Sequence, residues 1–326
     1  MDASAKFPRC YDFDAATERL DWLITSRLTT APECTLGSFL QVRHRQRRTR
    51  PTYTTSQGET LQSKVSVAEY QNGRSRIAID TESASELVLE VSGVVLDTDL
   101  PPVTNKLPPN KARFARQAIT IGAFKMEAFD DALRDIDSIR QLFERSVGGS
   151  VQRSDQVGTD LGPALCTSLR YFSHKNDIDL QDIIPFSKEV DPLKYLQALG
   201  TETLVHTRSN VVHFYEYDTD SKSGHGKYTT CPPAAVKIGD LVTCKIAFVL
   251  VPMPKGGKYR WKMLNELKAV AVMDSSPTRE ASTTASMQDL RVDAVEAPQV
   301  KRANLSFAGT LGPAPKRSRR MSIEFE

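Results

Sequence analysis

Residues 259–273 read YRWKMLNELKAVAVM. Trp261, Met263, Leu267, Ala269, Ala271 and Met273 share one parity, and Arg260, Lys262, Glu266 and Lys268 take the other. A period of two is what a strand with one dry face and one wet face requires. Composition alone would also let 262–270 pass as a helix, but the alternation over the whole stretch predicts a strand.

Working outward, a second strand is predicted over 241–251, introduced by Gly239-Asp240 and joined to the first through 252–258. Upstream, 203–207 and 211–217 read as two strands around Arg208-Ser209-Asn210. A two-residue turn there sets His206 opposite His213. A three-residue turn pairs Val205 with His213 and splits the two imidazoles between faces. Ser-Asn is a weak two-residue turn, which favours the split. Before these strands, Asp191-Pro192 opens a short helix over 193–199, and Gly200 is expected to close it in the left-handed region. Residues 163–274 thus form an antiparallel β-rich module, a small sheet or barrel.

The N-terminal half, 1–147, carries its own elements. Ala16, Leu20, Leu23, Ile24 and Leu28 make one face of a helix over 15–28, with Asp14 as the expected N-cap. Asn72-Gly73 between 65–70 and 76–80 signals a β-hairpin. A strand over 86–96 is interrupted at Gly93, a bulge or a site of close backbone approach. Pro101, Pro102, Pro108 and Pro109 stiffen a connector over 99–110.

Met126, Phe129, Leu133, Ile136, Ile139 and Phe143 then mark a long amphipathic helix over 124–146, ended by Gly148-Gly149. Its acidic outer face offers an Asp130–Arg134 pair. Glycine-rich, polar 148–162 reads as a linker. Residues 275–326, dominated by Ser, Thr, Ala, Pro and charge, lack the apolar surface to offset their ordering entropy and are expected to be a disordered basic tail. The fold class is therefore α+β.

Composition sets the outer bounds. The chain has 326 residues, 40% hydrophobic and 25% charged, with a net charge of +3. These figures exclude a disordered chain, collagen, a coiled-coil rod and a disulfide scaffold. Residues 301–326 carry a net +4 and residues 1–300 a net −1, so the basicity belongs to the tail. No stretch approaches the roughly 20 apolar residues of a membrane span, and the acidic first 25 residues do not read as a signal peptide. Five scattered cysteines are expected to be reduced thiols of an intracellular protein.

A quarter of the chain carries a family likeness. Asp191-Pro192, His206 followed by Asn210-Val-Val-His-Phe-Tyr215, Gly239-Asp240-Leu241-Val242 running to Phe248, Pro252, Lys258-Tyr259, Lys262-Met263 and the closing 267–274 together are similar to a group of uncharacterised proteins of mushroom-forming (basidiomycete) fungi. The matching residues are mostly strand and turn positions. The resemblance implies no activity, cofactor or catalytic residue.

Most active-site chemistry is missing. Gly224-His225-Gly226-Lys227 and Gly256-Gly257-Lys258 lack the Ser or Thr and the leading Gly of a phosphate loop, and read as hairpin tips. There is no G-x-S-x-G and no H-E-x-x-H. Cys231 lies six residues after His225, which leaves thiol chemistry open but unsupported. His206, His213, His225 and Cys231, with Cys244, offer soft ligands for zinc at spacings that match no zinc module. No cofactor is predicted.

Two basic segments carry the functional expectations. Arg43, Arg45, Arg47, Arg48 and Arg50 can follow phosphates along an extended chain, with Phe39 and Tyr53 as the aromatic neighbours; the bland reading is a loop that neutralises the acidic helix. Lys301-Arg302, thirteen residues, then Lys316-Arg317-Ser318-Arg319-Arg320 resembles a bipartite nuclear import signal, and Ser322 sits where a basophilic kinase would phosphorylate it. The leading expectation is a nuclear, non-enzymatic protein with an import receptor and a protein or nucleic-acid partner, and no membrane partner. The alternatives are a metal-binding or enzymatic protein with a site near His206, His213 and His225, and a mobile-element-derived product without a defined activity.

Overall fold

The computed structural model describes residues 2–31, 34–36, 64–70, 73–153, 156–218, 226–254 and 260–296. In chain order the elements are α1 (Phe13–Thr30), β1 (Val65–Tyr70), β2 (Ser75–Asp80), β3 (Val88–Asp99), β4 (Arg116–Gly122), α2 (Glu127–Val147), β5 (Val151–Gln152), β6 (Gln156–Thr159), β7 (Gly162–Arg170), β8 (Ser173–His174), α3 (Tyr195–Leu199), β9 (Leu204–Val205), β10 (His213–Asp218), β11 (Lys227–Thr230), β12 (Leu241–Pro252), β13 (Trp261–Asp274) and α4 (Ser276–Glu296). Met1–Ser286 is one contact unit; Met287–Glu326 is a second, whose described part is helical.

The main sheet runs β11-β10-β13-β12-β3-β4-β7-β6, with the β1–β2 hairpin joined to β12 and β5 joined to β13. Pairing is antiparallel from β3 to β4 to β7, and from β3 to β12 to β13. Two reversals on each path make β7 and β13 run the same way. They lie alongside each other without a hydrogen-bonded ladder. The strands β3, β4, β7, β13 and β12 therefore close into a partly open, five-stranded Greek-key barrel.

Alternation fills that barrel. Leu89, Val91, Ile119, Ile121, Leu165, Leu169, Ile246, Phe248, Met263 and Leu267 are buried in one core with Phe129, Ile136, Ile139 and Phe143 of α2. Each such side chain contributes about 1.5–3 kcal/mol over its exposed state. Gly148 ends α2 at φ +59°, a conformation that suits a residue without Cβ. Arg140 binds Asp137 at 2.8 Å and also Glu144, while Arg134 pairs with Asp131 at 2.6 Å instead of Asp130.

Several expectations are corrected by the register. The dry face of β13 changes parity part way: Met263 and Leu267 are buried before the change, Val270 and Val272 after it. A register shift sets Leu267 opposite Ile246 but Ala269 opposite Lys245, so Lys268 is an extra residue. Its amine is held by Glu86 at 2.8 Å and Glu266 at 3.1 Å. The predicted hairpin around Arg208–Asn210 does not form. Leu204–Val205 pairs with Ser173–His174, while His213–Glu216 runs parallel to β13. A capping box between Thr207 and Asn210 turns the chain away between them.

The cap of α1 is Asp12, not Asp14; its carboxylate accepts from the Asp14 and Ala15 amides. In α3, Lys194 takes the left-handed conformation and Gly200 does not. Asp191 still serves the helix, accepting from the Gln197 amide at 2.8 Å. The interval 148–162, expected as a linker, holds β5 and β6, and strands from both sides of it interleave in one sheet. The expected tail begins as α4 over Ser276–Glu296; residues 297–326 lie outside the described residues.

Candidate nucleic-acid interface

Going round the barrel in chain order, β4 and β7 are its second and third strands, and 100–115 joins the first strand to the second. Sequence reading missed both strands. On β4, Ile119 and Ile121 point into the barrel, so Arg116, Ala118 and Thr120 point out. On β7, Leu165, Thr167 and Leu169 point in, so Cys166, Ser168 and Arg170 point out. The register sets Arg116 opposite Arg170, Ala118 opposite Ser168 and Thr120 opposite Cys166. Two arginines thus stand directly opposite each other on the outer side, with Cβ atoms about 5 Å apart for such a pair.

Like charges directly opposite each other destabilise a ladder. Arg170 makes no ion pair among the described residues, and its pKa is lowered by burial first and by Arg116 second, with Glu266 offsetting part of the shift. The Arg116 Nε donates only to the Phe114 carbonyl at 3.3 Å. A pair with no direct ion-pair partner of its own, and only Glu266 nearby as partial compensation, favours an anion above it.

The approach to β4 continues the pattern. Between Asp99 and Glu127 the chain carries Lys106, Lys111, Arg113, Arg116 and Lys125 and no carboxylate. Within the 3-10 turn Pro109–Phe114, Ala112 is buried while Lys111, Arg113 and Phe114 are exposed. Phe114 is 50% exposed, and the Arg113 guanidinium lies 4.4 Å from its ring centre. The ring presents a flat apolar surface beside a cation, a combination that suits a base next to its phosphate.

This segment is firmly seated. Ala112 and Ala115 pack with Tyr171, Phe172, Leu196 and Leu199 in a second small core. The Tyr171 amide donates to the Ala115 carbonyl at 3.0 Å, and the Val103 amide to the Val190 carbonyl at 2.9 Å. The signal that could have found this site was the acid-free run of cations, together with the alternation of Arg116, Ala118 and Thr120 against Gln117, Ile119 and Ile121.

The predicted site residues fall elsewhere. His206 belongs to the second core: its ring stacks on Phe186 at 3.9 Å and its Nδ1–H donates to the Tyr171 carbonyl at 2.8 Å. Burial lowers its pKa, offset in part by that bond. His213 starts β10 and is exposed, its ring stacked near Tyr215. His225 lies outside the described residues. The Cys231 thiol is pushed up by burial and by Glu216, the reverse of an activated nucleophile. Cys244 is buried and pushed up to about 12. The four-ligand grouping is therefore not brought together by His206, which follows β9 in the second core, and His213, which opens β10 in the main sheet. Among the described residues no three His, Cys, Asp or Glu side chains gather as a metal site.

Arg43, Arg45, Arg47, Arg48 and Arg50 lie outside the described residues, as do Lys301, Arg302, Lys316, Arg317, Arg319, Arg320 and Ser322. No described helix is long and apolar enough to cross a membrane.

No family model and no curated protein matches the chain. Two solved structures are similar in part. One is the crystal structure of gp2.5, a single-stranded DNA binding protein encoded by bacteriophage T7, at 8% identity over 58% of this chain and 87% of that one, with a TM-score of 0.34. The other is the single-stranded DNA-binding protein from bacteriophage Enc34 in complex with ssDNA, at 13% identity over 66% of this chain and 98% of that one, with a TM-score of 0.26. At those scores neither likeness carries the assignment of the barrel, which rests on strand order and direction.

Proposed function

We propose that the protein binds single-stranded nucleic acid across the outer face of β4 and β7. The observation that carries this reading is the unpaired Arg116–Arg170 ladder step. Partly open Greek-key barrels of this strand order are used elsewhere to bind oligonucleotides and oligosaccharides on their second and third strands and on the loop between the first two. That is an analogy of fold and does not by itself give function. The chemistry of the face decides between the ligands. Facing guanidinium groups, Lys111 and Arg113 suit a polyanion, and Phe114 suits a base, whereas a neutral glycan would leave the like charges unrelieved.

The test is fluorescence anisotropy of a labelled 20-residue oligo-dT, its RNA counterpart and a duplex, at two salt concentrations. Binding should favour the single strands. For four contacted phosphates, log K should fall against log salt with a slope of about −3. Arg116→Glu with Arg170→Glu should weaken binding at least tenfold. Retained affinity in that variant, or no binding at low salt, would sink the reading. Changing Arg45, Arg47 and Arg48 to Ala in parallel separates the contribution of the arginine run.

Nuclear residence is proposed on the tail sequence alone. A fluorescent fusion carrying Lys316→Ala and Arg317→Ala should lose nuclear enrichment, and Ser322→Glu should weaken it. A Ser322→Glu fusion as nuclear as the parent would remove the phosphorylation idea.

A further inference from the structure

A groove of about 780 Å³ runs between α1 and the β10–β11 hairpin, and its charge is opposite to that of the arginine face. Trp22 of α1, 68% exposed, and Tyr217 of β10 both line it. The Tyr217 ring continues into Tyr228, with centroids 4.9 Å apart. Glu18, Glu216, Asp218 and Asp274 also line the groove, against Arg19 and Arg279. Arg19 is already engaged, by Asp274 at 3.5 Å and Glu280 at 3.1 Å. Glu18 and Glu216 are exposed and make no ion pair among the described residues.

A large exposed indole and a tyrosine lining one groove, with Glu18 and Glu216 in no ion pair among the described residues beside them, is poor packing and a poor phosphate site. It is good chemistry for a cation. An ammonium or guanidinium group is attracted to aromatic faces, most strongly to tryptophan, and its stem covers the apolar ring while carboxylates take its charge. The volume suits one or two such side chains, since sites for small ligands span roughly 300–1,000 Å³. We propose that this groove docks a lysine- or arginine-rich segment of a protein partner, with one cationic side chain held between Trp22 and Tyr217. It is a second site, and it stands whether or not the β4–β7 face binds nucleic acid.

Gly226 supports a built wall. A Cβ there would collide with the hydroxyl end of Tyr217, so the ring lies close over the glycine backbone. Any side chain at 226 must displace the end of Tyr217, which gives a handle on the groove that touches none of its carboxylates.

The chain has two tryptophans, so Trp261→Phe leaves Trp22 as the sole indole reporter. In that background, octa-arginine and octa-lysine peptides should change Trp22 emission saturably, and octa-glutamate should not. Labelled octa-arginine, followed by anisotropy on the otherwise native chain, should bind at least tenfold more weakly to Trp22→Ala. It should bind several-fold more weakly to Glu18→Gln with Glu216→Gln, and to Gly226→Ala. Arg116→Glu with Arg170→Glu should leave peptide binding unchanged. Equal binding of octa-arginine by Trp22→Ala would mean adherence to acidic surface in general and would overturn the proposal. So would oligo-dT that quenches Trp22 in competition with the peptide.

Discussion

A methyl group on Gly93 would stand 2.9 Å from the carbonyl oxygen of Gly122 and 3.2 Å from the Cβ of Ile121. Both are fixed parts of the neighbouring strand, so the first and second strands of the barrel meet at a distance that only glycine permits. Gly93→Ala should therefore cost about 1–3 kcal/mol by forcing the ladder apart. Urea unfolding should show a lower midpoint with an unchanged slope. Gly158→Ala is the control, because nothing lies within 4 Å of a Cβ there. Equal midpoints for the two variants would contradict the close approach.

The arginine pair makes a two-sided prediction. Relieving like charges across a ladder is worth about 0.2–1 kcal/mol, so Arg170→Gln should raise the unfolding midpoint slightly while weakening oligo-dT binding. Stability and affinity moving in opposite directions is the behaviour of a site. A merely structural arginine would lower both. Thermal unfolding and anisotropy on the same preparation check it.

Arg27 of α1 reaches Glu90 of β3, whose side chain is 8% exposed, and Lys245 stands 3.5 Å away on its other side. Burial disfavours the Arg27 charge, but the hydrogen bond and charge of Glu90, with smaller contributions from Tyr228 and Cys34, outweigh that cost and keep its pKa raised. Arg27→Met alone leaves a buried carboxylate with only the half-exposed Lys245 as partner and should cost about 3 kcal/mol. Adding Glu90→Met should recover most of that loss, because apolar replacements of a buried pair are often neutral. A double-mutant cycle by urea unfolding gives the coupling, and additive losses would refute the pairing.

The parts of this fold that were visible in the sequence are those specified by neighbours. The stripe from Phe129 to Phe143 needs only the helical period, and Asn72-Gly73 only a turn preference. Gly93 announced a close approach, though not its partner. What stayed hidden depends on distant chain. Arg116–Gly122 is short and follows a proline-rich segment, and Gly162–Arg170 mixes small polar residues outward with Leu and Thr inward. Their strand character comes from pairing with each other, across the whole of α2. The expected hairpin around Arg208–Asn210 failed because Thr207 and Asn210 satisfy each other locally, and because β10 finds a parallel partner in β13 that no short-range rule names. The proposed binding face was only half legible: the acid-free run of cations before Gln117 stood in the sequence, but Arg116 and Arg170 come opposite each other only through the register.

His206, first a candidate ligand, becomes a pH sensor of the second core. Burial against Phe186 lowers its pKa from 6.5, and the bond to the Tyr171 carbonyl raises it by less. In the unfolded chain the imidazole returns to about 6.5. Between the lowered folded value and 6.5 the unfolded state therefore binds a proton that the folded state does not. Stability from this group is fully present above pH 6.5 and falls as pH drops toward the folded value, below which the loss levels off. Because Phe186, Tyr171 and Phe172 share this core with Ala112 and Ala115, the seat of the Arg113–Phe114 turn should loosen over the same window. The protection factors of the Ala115 and Tyr171 amides, that is their exchange rates corrected for the intrinsic pH dependence, should fall once the pH passes below 6.5 on the way from 7.5 to 5. His206→Phe keeps an aromatic ring against Phe186 and removes the titration, so its exchange should lose the inflection even where its baseline is faster. An inflection that persists in His206→Phe would assign the pH response to another group.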